Sequence, residues 1–110
     1  MHRVFITGVG VVSSIGLGKN EFFRALARGE SGISQVESFD PSALGRDVAG
    51  EIKGFRPEDH LTSAEVKRAG RCSAMSLAAM RMAIRDAGID EALLRGPKTS
   101  VVLGTTMGEA

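Results

Sequence analysis

Cys72 is the only cysteine of the chain, and His2 and His60 are its only imidazoles. A thiol acts as a nucleophile once a base, a cation or a helix N-terminus favours its thiolate. Cys72 falls about ten residues past a helix start at Thr62, in apolar company, and reads as a small buried hydrophobe. Arg68 and Arg71 lie within a turn of it, but both can as easily face solvent. His2 sits at the terminus and His60 in a loop, neither with a partner at metal-ligand spacing. Glu58, Asp59 and Glu65 gather at a helix start, where negative charge is favourable in any case. Lys67, Arg68 and Arg71 read as a solvated or ion-paired helix face. The spacing therefore assigns no catalytic residue, no cofactor-binding residue and no metal ligand.

Glycines offer the other candidate chemistry. The run Gly8-Val9-Gly10-Val11-Val12-Ser13 begins like a dinucleotide fingerprint, whose third glycine lets a helix pack tightly on its strand. Here that position is Ser13, and Val11 and Val12 prolong an apolar run where a polar helix start belongs. No acidic strand end follows about 20 residues on. The glycines are expected to permit a tight turn and close backbone packing rather than to cradle phosphate. The loop Gly104-Thr105-Thr106-Met107-Gly108 is the most site-like stretch, small and flexible, with Met107 among hydroxyls.

These residues depend on a few elements. Residues 3–7 read as a strand, with Val4, Phe5 and Ile6 a continuous apolar run suited to cover on both faces. A glycine-rich connection over 8–18 leads to a short amphipathic helix over 19–28, with Phe22, Phe23 and Leu26 inward and Gly29 as its stop. Residues 30–60 are irregular, with an extended piece around 48–53. Thr62 and Glu65 have the spacing of a capping box. The helix they start is expected to run from about residue 63 to Ala87 and stop at Gly88. Its centre, CSAMSLAAMRMAI, carries a single charge, Arg81, so it calls for burial on most sides. A single turn over 90–94 and a last strand over 99–103, with Val101, Val102 and Leu103 consecutive, precede the Met107 loop.

Composition narrows the class. A net charge of +1 gives no electrostatic reason for nucleic acid or an anionic membrane, and five Phe without Trp or Tyr make a poor base-stacking platform. A lone cysteine fits a reducing compartment. No apolar run approaches the roughly 20 residues of a membrane span, and the glycine- and serine-broken N-terminus does not read as a signal peptide. The expectation is a soluble cytoplasmic chain. Two strands needing cover on both faces and a helix needing burial all round do not close a domain, since sheets usually have about four to six strands. Residues 1–110 are expected to be one domain's N-terminal portion, truncated on its C-terminal side.

Taken in order, the segments resemble the N-terminal end of a β-ketoacyl-acyl carrier protein synthase, the elongating condensing enzyme of fatty acid and polyketide synthesis. RVFITGVGVVSSIG is similar to that family's opening strand and turn, and FFRALARGESGI to its first helix. FDPSALGRDVAGEIKGFRPEDHL resembles the following arm, KRAGRCSAMSLAAMRMAIRDAGID the long buried helix, and VVLGTTMGEA the next strand and glycine loop. The resemblance implies an α/β fold, thiolase-like, in α-β-α-β-α layers, incomplete in this chain. It implies an acyltransferase that uses acyl thioesters and an acyl carrier protein, works as a homodimer, and needs no cofactor. The family's cysteine nucleophile and two histidines lie further along than residue 110, and Cys72, His2 and His60 match none of them. Only Met107 corresponds to a position expected to border the acyl pocket. A non-catalytic chain-length-factor-like or dimerising partner is the alternative.

Overall fold

The computed structural model describes residues 2–109. They form two compact units, Val11–Phe55 and a second made of the residues up to Gly10 together with those from Arg56 onward.

In the Val11–Phe55 unit, the glycine-rich connection contains a small antiparallel pair, β1 (Val12–Ser13) and β2 (Gly16–Leu17). Ser13, the residue that breaks the dinucleotide pattern, makes this turn: its hydroxyl donates to the Gly16 carbonyl at 3.0 Å and accepts the Ile15 amide at 3.3 Å. Helix α1 (Lys19–Ala27) follows Gly18, whose φ of 87° needs a residue without Cβ. Glu21 in its first turn accepts the Leu17 amide at 3.1 Å. The expected inward face is corrected here. Ala25 is the buried residue, whereas Phe23 and Leu26 are 56% and 55% exposed. Phe22 and Phe23 meet edge to face at 5.6 Å. The extended piece near residue 48 is β4 (Val48–Ala49), antiparallel to β3 (Ser34–Gln35). The Glu51 carboxylate holds the loop beside this pair, accepting the amides of Glu37 at 2.8 Å and Ser38 at 3.1 Å.

In the other unit, the capping box at Thr62 forms as expected, but the helix it starts is short. Helix α2 (Ser63–Val66) ends within a turn, and α3 (Arg71–Ala87) begins after Gly70. The single helix expected from residue 63 to 87 is thus two, because the Lys67–Gly70 stretch leaves the helical path at a glycine with ψ of 176°. Gly88, at φ 63°, ends α3 in the left-handed conformation expected of a C-terminal glycine. Ala74 and Ala78, one turn apart, are its buried positions.

The strands expected over 3–7 and 99–103 are the second correction. Among the described residues neither is paired in a β-ladder. Val4 and Ile6 are 91% and 90% exposed, and Val102 is 93% exposed. Both segments keep the apolar pattern of strands covered on two faces without having that cover. The turn expected near residue 90 is a 3-10 turn over Glu91–Arg95, capped by Asp90 through the Ala92 amide at 2.9 Å.

Candidate functional site

The opening glycines lie along α3. A Cβ on Gly10 would run into the Ala79 carbonyl, with the Ala83 amide nitrogen 2.8 Å away. One on Gly8 would meet the Ala83 carbonyl, and the Ala87 nitrogen at 2.7 Å. The Val9 amide between them donates to Asp86 Oδ2 at 3.0 Å. Glycines and alanines together let the N-terminal segment approach the helix backbone, as the sequence led one to expect. The faces of Gly8 and Gly10 that a Cβ would occupy are turned to the α3 backbone.

Arg81, the single charge at the centre of α3, reaches back to the capping box. Its Nη2 and Nη1 donate to Glu65 Oε1 and Oε2 at 2.8 and 3.0 Å, and Nη1 also donates to the His60 carbonyl at 2.7 Å. Glu65 Oε2 further accepts the Thr62 amide and hydroxyl, each at 2.8 Å. Arg81 and then Thr62 hold the Glu65 carboxyl far below its ordinary value, at about 2. A lone charge at the centre of an otherwise apolar stretch signals a partner, and that partner is Glu65, whose spacing to Thr62 points only to a cap.

The first turn of α3 carries the main correction at a candidate residue. Cys72 is the second residue of α3 and half-buried, not deep within a longer helix. The amides there already have an acceptor. Glu109 Oε1 accepts the Ser73 amide at 2.5 Å. The Ser73 side chain and amide, with the Cys72 amide, keep the Glu109 carboxyl below the usual carboxylate range. The positive end of α3 is therefore taken by a carboxylate. His60 contributes its carbonyl to Arg81, and His2 is exposed. Lys67, Arg68 and Arg71 are exposed but form no common helix face, since Lys67 and Arg68 lie in the break before α3 and Arg71 opens that helix, and Glu58 and Asp59 belong to a 3-10 turn over Pro57–Asp59. Among the described residues no group of three or more His, Cys, Asp or Glu is arranged to hold a metal ion. No helix among them is long and apolar enough to cross a membrane.

The Met107 loop follows residues 101–103. Thr105 Oγ1 accepts the Gly108 amide at 2.9 Å, Gly108 turns with φ 69°, and Met107 is 80% exposed. Beside it, Val101, Val102 and Leu103 face Leu77, Ala79 and Met80 of α3 across an open, mostly apolar groove of about 640 Å³. Such a surface suits an alkyl group or further apolar protein. It offers no arrangement for bond making.

A family model described as the N-terminal domain of β-ketoacyl synthase matches residues 1–110. The chain is 37% identical over 110 residues to 3-oxoacyl-[acyl-carrier-protein] synthase 1 of Haemophilus influenzae, covering 100% of this chain and 27% of that protein. It is 38% identical over 110 residues to the chloroplastic 3-oxoacyl-[acyl-carrier-protein] synthase II of Arabidopsis thaliana, covering 97% and 20%. Among solved structures, the ishigamide ketosynthase/chain length factor matches with a TM-score of 0.73 at 37% identity, over 79% of this chain and 22% of that one. The chain thus spans about a fifth to a quarter of the length of the curated relatives it matches.

Proposed function

We propose, from the premise that this chain belongs to the β-ketoacyl synthase N-terminal domain family, that it is the N-terminal portion of a condensing enzyme. The observation that carries this reading is the match of that family over residues 1–110, with relatives whose names state the activity. The complete protein would be an acyltransferase with the thiolase-like α-β-α-β-α layering. The bare apolar segments beside α3 support this, since sheet neighbours and outer helices would cover them. A reducing compartment such as the cytoplasm fits the lone cysteine.

In the reaction, a cysteine supplied beyond residue 110 attacks the acyl thioester and releases the carrier thiol. Malonyl-carrier protein then loses carbon dioxide, and two histidines stabilise the resulting enolate. The enolate attacks the enzyme-bound thioester, the cysteine thiolate leaves, and the β-ketoacyl carrier protein is formed. The 110 residues contribute scaffold and pocket rather than this set. Met107 is assigned to the border of the acyl pocket by the resemblance of its glycine loop to the family's, and its unbranched, adaptable side chain suits that place. The partners are an acyl carrier protein and a second copy of the chain.

A non-catalytic chain-length-factor role is the second reading, favoured by the ketosynthase/chain length factor among the structural neighbours. One experiment separates them. The complete protein is incubated with acyl-carrier protein and malonyl-carrier protein, and the intact mass and β-ketoacyl product are measured. A stoichiometric acyl adduct and product support the enzyme. Neither, with a primer series from short to long chains, leaves the partner role.

A further inference from the structure

We propose that Glu109 is a positioning residue that anchors the 104–109 loop, and Met107 within it, to the first turn of α3. The inference rests on the reading of Met107 as bordering the acyl pocket. Residues 104–107 and Glu109 are exposed, so no buried side chain fixes where this loop lies. Polar contacts do that instead. At one end the Gly108 amide donates to Thr105 Oγ1 at 2.9 Å, which closes the turn around Met107. At the other end the Glu109 carboxylate accepts the Ser73 amide at 2.5 Å. Helix α3 has no side-chain cap of its own, because its N-cap is Gly70. Its first amides would otherwise lack an acceptor, and a carboxylate is the group a helix start holds best.

Gly70 lies against the same carboxylate. Its φ of −71° and ψ of 176° are open to any residue, so the backbone does not call for glycine there. The Glu109 carboxylate fills the space instead, and would have to swing aside for a larger residue. A Cβ at residue 70 would collide with that carboxylate, its Cδ lying 2.5 Å away. Glycine at 70 and glutamate at 109 thus fit one another across a sequence separation that no local motif explains.

The test uses the complete protein and four variants, Glu109→Ala, Glu109→Gln, Gly70→Ala and the Gly70→Ala/Glu109→Ala double. Hydrogen exchange over residues 104–109 reads the anchor, and the ratio of kcat/KM for long and short acyl primers reads its consequence. Glu109→Ala should speed loop exchange by about fivefold, the scale of a lost helix cap. Gly70→Ala should do the same by displacing the carboxylate, and the double variant should add little. Glu109→Gln keeps an acceptor oxygen and should retain most of the protection. Unchanged loop exchange in Glu109→Ala, or fully additive effects of the two sites, would overturn the anchor. A loosened loop with the wild-type primer ratio would overturn the positioning role. Should Glu109→Ala fail to fold, Gly70→Ala asks the same question with the carboxylate still present. Failure of the pocket reading looks different: Met107→Phe would then leave the primer ratio untouched, while loop exchange still responds to Glu109→Ala and supports the anchor.

Discussion

Arg81 and Glu65 form a two-pronged ion pair that joins the capping box of α2 to the middle of α3, with Nη2 2.8 Å from Oε1 and Nη1 3.0 Å from Oε2. The guanidinium fork matches the carboxylate, and a lysine at residue 81 could not reproduce both contacts. Because α2 and α3 are separate helices, this pair and the His60 carbonyl contact bridge across the break between them.

The pair makes stability depend on acid. The Glu65 carboxyl ionises at about 2 in the folded protein, against an ordinary value of 4.5. A lowered folded value means the stabilisation is complete above about pH 4.5 and is lost as pH falls from there toward 2. Urea melts of wild type and Glu65→Gln across that range should therefore differ by a constant amount near neutrality and converge in acid. A difference that stayed constant down to pH 2.5 would show that the ionised carboxylate is not what matters.

Gly10→Ala should destabilise the protein by about 1–3 kcal/mol, the usual cost of overpacking. The new methyl would press on the Ala79 carbonyl, which is helix backbone and cannot rotate away. Gly50→Ala is the control, since its Cβ would sit 3.4 Å from the flexible end of Ile33 and should change stability by less than about 0.5 kcal/mol. Equal midpoints for the two variants in denaturant would remove the close approach of residues 8–10 to α3.

What the sequence made legible was local. The Thr62–Glu65 box, the Gly88 stop and the turn at Asp90 each depend on residues within a few positions of one another, and all form. The small-residue match of Gly8 and Gly10 to α3 was legible as close packing, though not its partner. The break before Gly70 was hidden because the group that caps α3 there, Glu109, lies far along the chain. Reading Phe22, Phe23 and Leu26 as inward followed bulk. Within residues 11–55, however, only Ala25 of α1 finds full cover. The segments 3–7 and 99–103 show the same limit, because a strand pattern states a need for partners and does not provide them. Of the site, the turn that carries Met107 was readable from its glycines and hydroxyls. The helix-start position of Cys72 was not.

The 110-residue chain by itself should associate or remain loosely packed, because Val4, Phe5, Ile6, Val101 and Val102 are between 68% and 93% exposed. Sedimentation and near-UV circular dichroism check this. A monomer with a sharp cooperative melt would count against the reading of these segments as surfaces for further layers. The same chain should form no acyl adduct with acyl-carrier protein in intact mass. Stoichiometric acylation abolished by Cys72→Ser would make Cys72 a nucleophile after all.

Met107→Phe in the complete enzyme should lower kcat/KM for long acyl primers while sparing short ones. Methionine has no branch at Cβ and can swing aside for an alkyl chain, and Gly108 with its φ of 69° lets the loop backbone turn beside it. Phenylalanine is stiffer and broader. The discrimination should amount to about 1–3 kcal/mol in transition-state binding, the scale on which apolar pockets sort substrates by size. If Met107 were instead buried as core in the complete enzyme, the larger ring would overpack its surroundings and harm every primer alike. Measuring kcat/KM along a primer series separates the two outcomes, since a gate gives a loss that grows with chain length and a core residue gives a uniform one.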